Sequence, residues 1–184
     1  MIAPVRQFTY PLQIAGEEDA LARGALYLQV HPPGGGTFLG ICALGFTSTS
    51  VPTGLIACPN ADELCAVAGG YAYIVDTTQP ERCTQLPLKP VAEVRVASKA
   101  GLLLFAGFHK IMAWGPEGFA WETGRLSWEG IHLGEIDAYT LDGSGWNMPT
   151  DKEVGFTVDL RTGQHTGGGY ASPGGAAAET STGR

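Results

Sequence analysis

From Ala25 onward the chain alternates between short apolar runs and clusters of turn-forming residues. Ala25-Leu26-Tyr27-Leu28-Gln29-Val30 alternates in polarity and stops at His31-Pro32-Pro33-Gly34-Gly35-Gly36. Val91-Ala92-Glu93-Val94-Arg95-Val96-Ala97 places valine at every second or third position, the pattern of a half-buried strand. Leu102-Leu103-Leu104-Phe105 is apolar throughout, which predicts a strand at the centre of a sheet, covered on both faces. Further strands are expected over 37–46, 54–57, 63–68, 71–75, 110–114, 119–123, 131–141 and 153–160, each bounded by glycine, proline or a polar cluster. Gly143-Ser144-Gly145 reads as a break between the last two. Phe8 to Ile14 is a candidate first strand with Pro11 at an edge. One short helix is predicted over 16–24, with acids in its first turn, Arg23 in its last and a glycine at each end.

The fold class that follows is all-β: antiparallel meander sheets packed as a sandwich or a small incomplete propeller, plus one short N-terminal helix. Residues 1–166 form a single β-rich domain, and 167–184, rich in Gly, Ala, Ser and Thr, reads as a flexible tail. Two internal similarities support a repeated unit. Ala68-Gly69-Gly70-Tyr71-Ala72-Tyr73-Ile74 is similar to Ala106-Gly107-Phe108-His109-Lys110-Ile111 at an offset of 38, and Val91-Ala92-Glu93-Val94 to Leu133-Gly134-Glu135-Ile136 at an offset of 42. One unit would run Val91–Ala97, Gly101–Ala106, Lys110–Trp114 and Phe119–Leu126, four strands in about 40 residues. Over about half the chain this resembles β-propeller blade repeats. The segment Phe156-Thr157-Val158-Asp159-Leu160-Arg161-Thr162-Gly163 also resembles the strand-turn signature of propeller repeats in the quinoprotein class, which implies a bound quinone and many blades. No other part of the chain supports either. The first 60 residues or so fit the unit poorly, which favours an open or sandwiched arrangement over a closed ring.

Composition narrows the picture. A charged fraction of 16% with 27 glycines and 12 prolines favours strands and tight turns over long surface helices. The net charge of -7 argues against nucleic acid or an anionic membrane as partner. No stretch is apolar enough to span a membrane, and the N-terminus has no basic segment followed by an apolar core, so a cytoplasmic location is expected. Cys42 and Cys65 sit inside apolar runs, and Cys58 and Cys83 form no CxxC, so buried reduced thiols are expected. A Cys58–Cys65 or Cys65–Cys83 disulfide is the alternative in an exported protein.

Candidate chemistry is sparse. Trp114, Trp121 and Trp128 are spaced by seven, with Trp146 beyond and Arg125 between. Trp121, Arg125, Trp128 and Trp146 are the candidate ligand or partner surface, because exposed aromatics with an arginine are the side chains that dominate recognition surfaces. The competing expectation is that the tryptophans fill the core. Glu117, Glu122 and Glu129 lie among these aromatics, and Glu122 or Glu129 is the candidate acid of the carboxylate pair that glycoside hydrolysis requires. His31, His109, His132 and His165 are far apart in sequence, so no metal site is expected, and no nucleophile or phosphate-loop motif occurs. No cofactor is expected. The reading favoured is a non-enzymatic protein-binding or scaffold module. A carbohydrate-active hydrolase or carbohydrate-binding domain, and a self-associating structural subunit, are the alternatives.

Overall fold

The computed structural model describes residues 5–11 and 20–170. Among these residues fifteen strands form four sheets. The first holds β1 (Arg6–Tyr10), β2 (Ala25–Val30) and β3 (Phe38–Ala43) in the order β1-β3-β2, with β1 parallel and β2 antiparallel to β3. The second holds β4 (Gly54–Ala57), β5 (Glu63–Ala68), β6 (Tyr71–Asp76) and β7 (Cys83–Gln85). The third holds β8 (Glu93–Ala97), β9 (Leu102–Ala106), β10 (Ile111–Gly115) and β11 (Gly118–Glu122). The fourth holds β12 (Ile131–Ile136), β13 (Thr140–Asn147), β14 (Lys152–Asp159) and β15 (His165–Gly167). The last three sheets are antiparallel meanders whose strand order follows the chain. The fold is all-β, as the run-and-turn pattern predicts.

The sheets stack face to face in chain order, and side-chain alternation explains how. In β9, Leu103 and Phe105 face the second sheet while Leu102, Leu104 and Ala106 face the fourth. In β10, Met112 and Trp114 go one way and Ile111 and Ala113 the other. The expectation of a centrally buried run at Leu102–Phe105 therefore holds. Alternation in β5 likewise sends Cys65 and Val67 toward the third sheet and Ala66 and Ala68 toward the first. The two end sheets are amphipathic. The outer face of the fourth carries His132, Asp142, Ser144 and Thr157, and that of the first carries Tyr27, Gln29 and Leu39. Among the described residues no core cluster joins the first sheet to the fourth, so the stack is open.

Aromatic side chains tie each interface. Tyr10 donates its hydroxyl to the Pro80 carbonyl at 2.6 Å, and Tyr73 donates to Ala43 at 2.8 Å, joining the first and second sheets. Trp114 Nε1 donates to Glu63 Oε2 at 2.8 Å across the second and third. Trp121 Nε1 donates to the Leu160 carbonyl at 2.8 Å across the third and fourth. Each ring adds apolar burial while its polar tip stays paired, which avoids the ~1–3 kcal/mol cost of a buried orphan donor.

Several boundaries differ from expectation. Residues 16–19 of the predicted helix, and 12–14 of the predicted first strand, lie outside the described residues; Ala20–Arg23 form one 3-10 turn. The predicted strand over 131–141 is two strands with a turn at 137–139, because Asp137 Oδ1 accepts the backbone N–H of Tyr139 and of Thr140, each at 2.6 Å. These N–H groups hold its carboxyl below the ordinary range. Gly143-Ser144-Gly145 is no break but the middle of β13. Its glycines are there for space: a Cβ on Gly143 would come within 2.6 Å of the His132 carbonyl and 2.7 Å of the Phe156 ring, and one on Gly145 within 2.5 Å of the Leu126 carbonyl. The short strands β7 and β15 have no apolar pattern in sequence. Hydrogen bonding continues past 166: Gly167 pairs in β15, and Gly169 donates its N–H to Leu126 O at 2.7 Å. Residues 171–184 lie outside the described residues.

The two internal similarities occupy different structural positions. Ala68 and Ala106 each close the second strand of their meander, whereas the other match sets the start of β8 against the end of β12. No helix among the described residues is long and apolar enough to cross a membrane. Gly143→Ala is expected to destabilise the protein by about 1–3 kcal/mol through overpacking against Phe156, read as a lower urea midpoint at constant slope. An unchanged midpoint would mean that β13 yields at no cost.

Candidate functional site

The chain crosses from the third sheet to the fourth through residues 123–130, and this crossing is tightly anchored. Thr123 is buried and pairs with Ile111 in both directions, its N–H to the Ile111 carbonyl at 2.9 Å and its hydroxyl receiving the Ile111 N–H at 3.0 Å. Leu126 is fully buried; its N–H reaches His109 O at 2.7 Å, and its carbonyl accepts from Gly169. Ser127 is fully buried too, and its hydroxyl oxygen accepts the N–H of Trp146 at 2.9 Å and of Glu129 at 3.2 Å. Glycines at 145, 168 and 169 permit the close approach of three chain segments, since a Cβ at any of them would collide with backbone atoms of this crossing or of Trp146.

Between these anchors Arg125 is exposed. Its Nε donates to Ser127 O at 3.0 Å and its Nη2 to Trp128 O at 2.9 Å, so the guanidinium closes its own loop. Nη2 also approaches His109 Nδ1 at 3.4 Å, a contact in which the imidazole nitrogen accepts. The guanidinium carbon lies 5.1 Å from the Trp128 ring centroid and 4.7 Å from that of Tyr170, within cation–π range. The two rings meet edge-on at 5.0 Å. Among the described residues Arg125 has no carboxylate partner.

Beside this triad lies a notch of about 340 Å³ between the second and third sheets. Pro87, Leu88 and Pro90, from the link between those sheets, form one wall, and Phe108 to Lys110, from the β9–β10 turn, form the other. Lys89 and Arg125 complete the rim. Phe108 is 40% exposed, which leaves its ring available to a ligand. Lys110 is paired with Glu122 at 2.6 Å, and Lys89 donates to Gln85 at 3.0 Å and lies over the Tyr71 ring. On a chain of net charge -7, this rim brings together three cationic side chains, Lys89, Lys110 and Arg125.

The candidate residues divide. Arg125 and Trp128 come together, joined by His109, Phe108 and Tyr170, which the sequence reading left out. Trp146 is their backbone neighbour, accepting the Trp128 N–H at 3.0 Å, but its indole Nε1 turns to Asp151 at the β13–β14 hairpin, 3.0 Å away. Trp121 is corrected to a core residue: it is 7% exposed and packs beneath Gly163, because strand alternation points it opposite to Glu122. Glu122 lines an open depression with Gly124, Thr162, Gly163, Gln164 and His165, and neither Glu129 nor any other second carboxylate lines that depression. That arrangement does not supply the acid pair of a glycosidase.

The remaining reactive side chains are dispersed. His31 meets Thr37, His132 lies 3.8 Å from Glu153, and His165, whose pKa burial lowers, packs on Gly124. Among the described residues no three His, Cys, Asp or Glu side chains gather as a metal site. All four cysteines are free. Burial pushes the Cys42 thiol up to about 12, and burial with Cys42 nearby does the same for Cys83. Cys58 rises to about 12 through burial and then Glu63. Burial also raises Cys65, so none has the depressed pKa of a nucleophile.

No protein-family model matches this chain, and no curated protein matches its sequence. Ser127→Ala is expected to cost about 1–3 kcal/mol in a thermal or urea melt, since it leaves the Trp146 and Glu129 N–H groups without their acceptor. Retention of full stability would show that this hydroxyl does not hold the crossing.

Proposed function

We propose that this chain is a non-enzymatic binding module that docks a protein partner at the edge between its second, third and fourth sheets. The observation that carries the reading is the Arg125–Trp128–Tyr170 stack, with no carboxylate on its guanidinium among the described residues, set beside a notch walled by Pro87, Leu88, Pro90 and Phe108. Arginine, tryptophan and tyrosine are the side chains most often found to dominate binding energy, and here the loop that carries them is fixed by buried anchors. Preorganisation of that kind lowers the entropy cost of association. Three successive four-stranded meanders in an open stack support reading the scaffold as a small incomplete propeller, a frame that presents loops at its rim. The four free thiols support a reducing compartment, and we propose the cytoplasm as the location.

A photo-cross-linking residue at position 108 tests the docking site. A discrete protein adduct is expected from position 108 in an extract of the producing cells, reduced by Arg125→Gln. The same residue at position 119, exposed on β11 beside the far end of β10, should give none. Equal adducts at both positions, or no effect of Arg125→Gln, would overturn the reading.

Self-association is the second reading, favoured by the outer face of the first sheet, where Tyr27 is 73% and Leu39 38% exposed. Sedimentation separates the two. A concentration-dependent dimer abolished by Tyr27→Ser supports self-association, and a monomer up to ~0.1 mM, well above the range of a specific dimer, rules it out.

A further inference from the structure

We infer that the notch takes a peptide segment in which a carboxylate adjoins an apolar side chain. This rests on the docking reading above and adds the chemistry of the partner. Two features select it. First, the rim carries cationic side chains on a chain of net charge -7: Lys89, Lys110 and Arg125 border the notch, and Lys110 is paired with Glu122. Cationic groups at the rim favour an anionic partner there over an uncharged one. Second, Arg125 spends Nε and Nη2 on Ser127, Trp128 and His109, leaving Nη1 with no hydrogen-bond partner among the described residues. Both Nη1 hydrogens lack a partner among the described residues, and the guanidinium plane that carries them is already held by two backbone carbonyls and two rings. A carboxylate placed there finds a donor whose rotamer entropy has been removed beforehand.

The walls decide between anions. Pro87, Leu88, Pro90 and the half-exposed Phe108 ring offer apolar surface within the same 340 Å³ notch. A phosphate alone would satisfy the charge and leave those walls wet. An uncharged apolar side chain would cover the walls and leave Nη1 unanswered. A peptide carboxylate next to an aromatic or branched side chain satisfies both at once.

The probes are N-acetyl-phenylalanine, its uncharged amide and inorganic phosphate, titrated into the full-length protein and followed by amide NMR. The acid is expected to shift the resonances of residues 108–110 and 125, and to bind more tightly than the amide or phosphate. Arg125→Gln should weaken the acid by about three- to tenfold, as loss of a charge-assisted contact at an exposed site predicts, and leave the amide unchanged. Phe108→Ala, at an exposed position where folding is not at stake, should weaken acid and amide alike. If the amide or phosphate equals the acid, if the shifts fall elsewhere, or if Arg125→Gln leaves the acid's affinity intact in a folded protein, the carboxylate assignment is overturned. Should Arg125→Gln fail to fold, the acid–amide–phosphate ranking on the unaltered protein and on Phe108→Ala decides. Acid and amide binding alike at residues 108–110 would remove the carboxylate while leaving the docking surface, whereas failure of cross-linking from position 108 would remove the surface itself.

Discussion

Strands β9 and β10 are apolar on both faces, and a sheet made of them cannot end a protein. Leu103, Phe105, Met112 and Trp114 demand a layer on one side, and Leu104, Ile111 and Ala113 demand another on the opposite side. Here both layers come from the same chain: sheets precede and follow this one, and amphipathic strands end the stack. The first and fourth sheets do this, each with a polar or mixed outer face. Tyrosine and tryptophan suit the interfaces between layers because each fills volume and carries a donor that reaches a carbonyl or carboxylate across the gap.

A stack of this kind forces the chain to cross from layer to layer at the sheet edges, and the crossings become the most constrained irregular segments in the molecule. The third crossing, 123–130, is pinned by Thr123, Leu126 and Ser127, with glycines 145, 168 and 169 admitting three backbones to one place. Arg125 sits between pinned neighbours, and so its guanidinium can be held in one orientation at an exposed site. The second crossing supplies Pro87 to Pro90, and the β9–β10 turn supplies Phe108 to Lys110. The notch is thus a by-product of layering: two crossings and one turn end at the same edge. Function, on this view, resides in where the crossings meet and not in the sheets that separate them.

The chain's low charge and abundant glycine have two separate structural uses. Some glycines make turns, as at Gly69-Gly70, where both residues have positive φ between β5 and β6. Others, Gly143 and Gly145 above all, lie inside a strand and make room for Phe156 and the Leu126 carbonyl. Sequence alone does not separate these uses. That is why Gly143-Ser144-Gly145 reads as a break and folds as the middle of β13.

Short apolar runs with a period of two, punctuated by glycine and proline, were enough to determine an all-β chain of meanders, the doubly buried strand at Leu102–Phe105, and the four strands between Val91 and Glu122. They were enough because strand alternation and turn chemistry are local. The candidate surface was half legible: Arg125 and Trp128 stand out as residue types, whereas Phe108, His109, Lys89 and Tyr170 join them only when the β9–β10 turn, a crossing and the segment after β15 converge. Tertiary structure alone decided that Trp121 turns inward to Leu160 while Arg125, past the end of β11 on the crossing, is exposed. It also decided that Glu122 is bound to Lys110, and that Lys89, Lys110 and Arg125 border one notch. Such outcomes depend on which sheet covers which face, and no local pattern in the chain encodes that.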